Sequence, residues 1–220
     1  MSAGGGHRAS TATTVAPVTV AALFASAQAG CYAAVCDTLA RVALTATIYN
    51  FDVDLADADR GVYDTLAVRM ARHPSESEEF LVARLLAYCL EYVDGIQFSS
   101  GLSDPDEPPV SVRDLTGALR VWVDVGSPDP ARLHRAAKSA DRVVVYTHKD
   151  PTQWLRQLAG ERIHRAGDVE IFSFDRAFIA SLAERLARRM AMTVSVADRH
   201  ILVALDGVVL EGGITRHVLA

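Results

Sequence analysis

The chain has 220 residues, 50% of them apolar and 22% charged, with a formal net charge of -5. Length and apolar content suit one packed domain with an appendage and argue against two full domains or a globally disordered chain. The acidic balance excludes a generally basic nucleic-acid coat, so any polyanion must be met by a local basic groove.

Cys31, Cys36 and Cys89 are an odd number without metal-ligand spacing. They support neither a disulfide framework nor a zinc site and place the chain in a reducing, cytoplasmic compartment. Lys138 and Lys149 are the only lysines beside a large excess of arginine. Chemistry that needs a lysine therefore has two candidates.

Residues 1–41 hold twelve alanines, a Gly4-Gly5-Gly6 run and few charges. They read as a poorly ordered extension, upstream of a natural start near Val42. The apolar stretch Val15 to Ala25 is broken by Pro17 and falls short of the roughly 20 residues that span a bilayer, so no membrane crossing is expected. The rival reading is a signal peptide, with Arg8 ahead of the apolar stretch and Ala27-Gln28-Ala29 as a small-residue cleavage site.

From Val42 the periodicity sharpens. Ala43 to Asp54 and the alternating Leu66, Val68 and Met70 predict two strands of a hairpin, joined by the polar turn Ala58 to Gly61. Ser75, three residues before Glu78 and ahead of an apolar stripe, predicts a capped helix over 75–93. The acidic, proline-rich stretch Gly101 to Pro109 is a loop.

Strands follow over 110–115 and 118–125, the second with Val121, Val123 and Val125 on one face and Trp122 and Asp124 on the other. Pro128 or Pro130 opens a helix to about 140, with Ser127 and Asp129 as rival caps, and Val143 to Tyr146 is a buried strand. A short helix with Trp154, a strand over 169–174 and a helix over 177–190 come next, then short strands around Asp206-Gly207. The fold class is α/β, a mixed β-sheet with helices on both faces.

A carboxylate at the end of a central strand, beside an acidic loop that enters the neighbouring strand, can lie close to a second carboxylate. At 4 Å and an effective dielectric near 20 their repulsion is about 4 kcal/mol, which calls for a proton or a divalent cation. Oxygen-only ligands suit Mg²⁺ or Mn²⁺.

Several stretches, in order, resemble one known family. They are Leu44 to Tyr49, His73-Pro74-Ser75-Glu76, Gly101-Leu102-Ser103 with Asp106-Glu107-Pro108, Asp114 to Gly117, Trp122 to Gly126 and Val143 to Thr147. Together they look like the YaeQ family over residues 42 to about 218. The resemblance implies a variant of the PD-(D/E)XK nuclease-like core, a helix, a three-strand meander, a helix and a strand, here with an N-terminal hairpin and C-terminal antiparallel strands.

Carried over residue by residue, the superfamily site implies Glu79 (or Glu76) on the first core helix, Asp106 or Glu107 entering the second core strand, and Asp124 on the third. These would hold Mg²⁺ or Mn²⁺ to activate a water, with a lysine orienting the nucleophile. Two departures stand out: Pro108-Pro109 where Pro-Asp is expected, and Gly126 where the lysine is expected. Lys138 on the next helix is the candidate for a migrated catalytic lysine.

Arg132, Arg135 and Lys138 repeat at i, i+3 and i+6, a basic face suited to phosphates. The bland readings are that the first-turn glutamates serve the helix dipole and the basic face is simply solvated. Walker, serine-hydrolase, zincin and dinucleotide fingerprints are lacking. Two functions stand as expectations: a divalent-metal-dependent phosphodiesterase acting on nucleic acid, or an inactive module of the same fold that binds nucleic acid or a protein partner.

Overall fold

The computed structural model describes residues 46–99 and 107–219. The expected extension over 1–41, the loop residues 101–106 and with them Asp106 lie outside the described residues.

Strands β1 (Thr47–Asp57) and β2 (Val62–Arg72) form the expected hairpin, Thr47 opposite Arg72 and Asp57 opposite Val62. Alternation buries Tyr49, Phe51, Val53 and Leu55 on one face and leaves Asp52 and Asp54 exposed on the other. Helix α1 (Glu78–Leu90) is shorter than the expected 75–93. Its N-cap is Ser77, whose Oγ accepts from the Phe80 N–H at 3.1 Å, while Ser75 Oγ lies 2.6 Å from His73 Nδ1 in the preceding turn. Leu81, Val82, Leu85, Leu86 and Cys89 make α1 apolar nearly all round, so it is enclosed rather than laid on a surface.

Strands β3 (Ile96–Phe98), β4 (Val110–Arg113) and β5 (Leu119–Val125) form an antiparallel meander. Helix α2 (Pro130–Ser139) crosses over to β6 (Arg142–Thr147), parallel to β5, and α3 (Thr152–Leu158) leads on towards β7 (Val169–Phe174), parallel to β6. Asp129 wins the capping role, accepting from Arg132 N at 2.7 Å, with Pro130 at the first helical position.

Helix α4 (Arg176–Ala183) ends well before the expected Met190. The reason is tertiary. Met190, Met192, Val194 and Val196 bury every second side chain, and their strand β8 (Arg189–Ala197) pairs in parallel with β1, Met190 opposite Phe51. Strands β9 (His200–Leu205) and β10 (Val208–His217) complete one sheet, ordered β2-β1-β8-β9-β10-β7-β6-β5-β4-β3.

The β9–β10 turn at Asp206-Gly207 has positive φ at both residues, 47° and 76°, as the Asp-Gly pair dictates. The β8–β9 turn does the same at Asp198 and Arg199 without a glycine. There the Asp59 carboxylate accepts both turn N–H groups, at 2.7 and 3.0 Å, and so supports a strained conformation.

One face of the sheet shares a continuous core with α1 and α4. On the other face a second core of Trp122, Leu133, Val143, Val145, Trp154 and Ile171 lies under α2 and α3. Among the described residues, helices therefore cover both faces only around β5, β6 and β7, narrower than the sequence expectation. On β1, β8 and β9 the alternate residues are exposed.

Candidate functional site

Parallel strands followed by helices leave a crevice at their carboxyl ends. Here β5 ends at Val125 and β6 at Thr147, and beyond them lies a cleft of about 500 Å³. Glu76, Ser77, Phe80 and Arg84 reach it from the start of α1, Asp124 from β5, Ser127 and Arg132 from the entry to α2, and His148 and Lys149 from the end of β6. Ser99 and Glu107 close its remaining side.

Asp124 is 3% exposed, a burial that a lone carboxylate does not tolerate. Its Oδ2 accepts from Arg132 Nε at 2.6 Å and from Trp122 Nε1 at 3.2 Å, and its Oδ1 from the Val125 N–H at 3.2 Å. The Arg132 side chain reaches back towards β5, where its guanidinium carbon lies 5.4 Å from the Trp122 ring centre and its Nη2 donates to the Glu107 carbonyl at 2.9 Å.

Glu76 is held in the same manner. Both its carboxylate oxygens accept from the buried Arg84, at 3.3 Å, and Oε2 also accepts from the His73 N–H at 3.1 Å. Arg84 adds a 2.7 Å bond to the Ala71 carbonyl, and burial lowers its affinity for its proton while Glu76 opposes that shift.

The cleft thus brings together Asp124, Arg132, Glu107 and Glu76, the alternative to Glu79. Glu79 itself is exposed and lines a neighbouring hollow with His148, Lys149 and Arg176. Lys138 is exposed in the last turn of α2 and does not line the cleft; Lys149 does. Arg135 is exposed with Lys138, so the basic repeat splits, Arg132 turning inward and the other two outward. Gly126 has φ +92° and donates to the Tyr146 carbonyl at 2.8 Å; a lysine in the superfamily's usual place would be strained there.

A hard dication takes about six oxygen ligands. Asp124 already spends its oxygens on Arg132, Trp122 and the backbone, Glu76 spends its own on Arg84 and His73, and Glu79 faces another hollow. Among the described residues no three of His, Cys, Asp and Glu converge to hold an ion. The described donors therefore do not fit Mg²⁺ or Mn²⁺, because guanidinium groups occupy the positions that a metal would neutralise.

One residue of this region escapes a sequence reading. His148 is 4% exposed, meets the Phe80 ring edge-on at 6.2 Å, and has no hydrogen-bond partner on either ring nitrogen. Burial first, then Lys149 and Arg176, push its pKa down, against the pull of Glu79. The available signal is positional: polar residues directly after the apolar run Val143 to Tyr146 stand at a strand's carboxyl end.

A second cavity, of about 440 Å³, lies near the start of β6. Beside it Arg142 bridges Glu91 at 2.5 Å and Glu170 at 2.7 Å, and the Tyr146 hydroxyl donates to Glu91 at 2.8 Å. These bonds tie α1 to the sheet. Among the described residues no helix is long and apolar enough to cross a membrane.

A family model described as YaeQ protein matches residues 42–212. The YaeQ protein of Escherichia coli (strain K12) is 31% identical over 177 residues, 79% of this chain and 97% of its own length. The crystal structure of YaeQ from Xanthomonas axonopodis pv. citri is similar at TM-score 0.73 and 29% identity, covering 80% of this chain and all of that one. That from Pseudomonas syringae gives TM-score 0.71 at 29% identity, over 78% of this chain and 95% of its own.

Proposed function

This chain belongs to the YaeQ family, and from that premise we propose that it is a nuclease-fold protein that binds the phosphate backbone of nucleic acid in its cleft without cleaving it. The run α1, the β3–β4–β5 meander, α2 and β6 has the element order of a PD-(D/E)XK core, which supports the fold half of this reading.

The observation that carries the functional half is the Arg132–Asp124 pair at 2.6 Å. A phosphate about 4 Å from an uncompensated carboxylate meets roughly 4 kcal/mol of repulsion at an effective dielectric near 20. In a metal-dependent nuclease the cation removes that repulsion. Here Arg132 neutralises Asp124 and Arg84 neutralises Glu76, so a phosphodiester can approach with no cation. Lys149 and the hydroxyls of Ser77 and Ser127 line the cleft as donors, and Arg135 and Lys138, exposed on α2 outside the cleft, would meet flanking phosphates.

The test uses labelled single- and double-stranded DNA and RNA. The expected result is binding that persists in EDTA, weakens steeply with salt and drops in Arg135→Glu/Lys138→Glu, with no cleavage in Mg²⁺ or Mn²⁺. Metal-dependent cleavage that disappears in Asp124→Asn would overturn the reading and make the protein a Mg²⁺- or Mn²⁺-dependent nuclease. Absence of both binding and cleavage would point to a protein partner.

A further inference from the structure

We infer that the hollow beside the cleft, between α1, the end of β6 and the start of α4, is a phosphate-monoester site built on His148, Lys149 and Arg176. It has a volume of about 330 Å³ and is lined by those three residues with Glu79, Ala177 and Ala180.

The central observation is His148. A neutral imidazole carries one N–H donor and one acceptor, and buried groups of this kind are nearly always paired. This ring is buried and lines the hollow, yet neither nitrogen has a partner. A phosphate monoanion relieves both deficits, one oxygen accepting the ring N–H while its P–O–H proton passes to the second nitrogen, leaving a phosphate dianion beside an imidazolium.

The surrounding charge selects an anion. Lys149 and Arg176 line the same hollow, and after burial their charges also push the His148 pKa down. Arg156 lies further along α3, its charge felt at Asp150. Against these cations stand Glu79 in the hollow and Asp150, whose carboxylate is engaged with the Thr152 N–H at 2.9 Å. The excess of cations disfavours a metal ion, and a protonating imidazole beside a lysine and an arginine matches a phosphate dianion with several acceptor oxygens.

Two sources share this chemistry: a free phosphate or small phosphomonoester, and the terminal phosphate of a strand lying in the adjoining cleft. Only the second rests on the function proposed above.

The experiment follows the thermal midpoint of the full chain against inorganic phosphate. The wild type should rise with phosphate concentration. His148→Phe should keep or raise the midpoint without phosphate, because an apolar ring removes two unpaired buried atoms, and should lose the phosphate-dependent rise. Arg176→Gln should weaken phosphate affinity about tenfold, as expected when one charge-assisted hydrogen bond is lost. A wild type that does not respond, or an equal response in all three proteins, overturns the site.

Paired strands with a 5′-phosphate or a 5′-hydroxyl then separate the sources. A preference of about tenfold for the phosphorylated strand, removed by Arg176→Gln, assigns the terminal phosphate. Equal binding of the two strands with an intact response to inorganic phosphate assigns the free ligand. If neither strand binds, the cleft reading fails while the phosphate response still decides the site.

Discussion

Arg132 and Asp124, eight residues apart in the chain, meet at 2.6 Å across the join between β5 and α2, with side chains 15% and 4% exposed. Breaking a pair this buried leaves a charge without water or partner, which costs about 3–5 kcal/mol. Asp124→Asn keeps an acceptor for Trp122 and should lose about 2–4 kcal/mol in urea unfolding. Removing both charges, as Asp124→Asn with Arg132→Met, should recover part of that loss. Mn²⁺ affinity should be the same before and after Asp124→Asn.

Acid should loosen the tie at Arg142. The guanidinium of Arg142 holds the Glu170 carboxyl below the usual range near 4.3, with burial opposing. A depressed folded pKa means that this contribution is complete above the unfolded value and is lost as pH falls through the folded one. Stability of the wild type should therefore decline below about pH 4 more steeply than that of Glu170→Gln, measured by urea unfolding across that range. Asp114 is shifted further, to about 2, by its bond from Thr116 Oγ1 and the Thr116 and Ala118 N–H groups. Carboxyl NMR should show it titrating near pH 2.

Cys89 is wholly buried in the core, and desolvation alone pushes its thiol up to about 12. In a Cys31→Ser/Cys36→Ser background a thiol reagent at pH 8 should leave the folded protein unlabelled and react fully once denaturant opens the core. Rapid labelling of the folded chain would contradict the packing of α1.

Gly212 on β10 lies directly under the Phe178 ring of α4. A Cβ there would meet the Phe178 Cγ at 2.5 Å and its Cβ at 2.7 Å, closer than packed atoms approach. Gly212→Ala should cost about 1–3 kcal/mol by overpacking, read as a lower thermal midpoint. Phe178→Leu in the same chain should return little of it, since leucine keeps the Cβ and Cγ atoms that the new methyl meets.

Periodicity was enough for most of the elements. The hairpin of β1 and β2, the valine-rich β6, the faces of β5 and the Asp206-Gly207 turn each follow from local pattern, because alternation and turn chemistry are properties of a few adjacent residues. The resemblance carried by His73-Pro74-Ser75-Glu76 and Trp122 to Gly126 also placed the family correctly, over nearly the span that the family model matches.

What local pattern missed depended on distant partners. Helix α4 stops at Ala183 because β1 offers Met190 a strand to join, and the turn at Asp198-Arg199 forms because Asp59, far back in the chain, accepts its N–H groups. The site shows the same division. Composition limited a catalytic lysine to Lys138 or Lys149, and the βαβ order put Asp124 at a strand end, but only the folded chain turned Arg132 onto Asp124, set Glu76 rather than Glu79 in the cleft and exposed Lys138 away from it. Sequence spacing fixes which face of an element a residue occupies, whereas the pairing of charges depends on which faces meet, and that is decided by the packing of α1 and α2 against the two faces of one sheet.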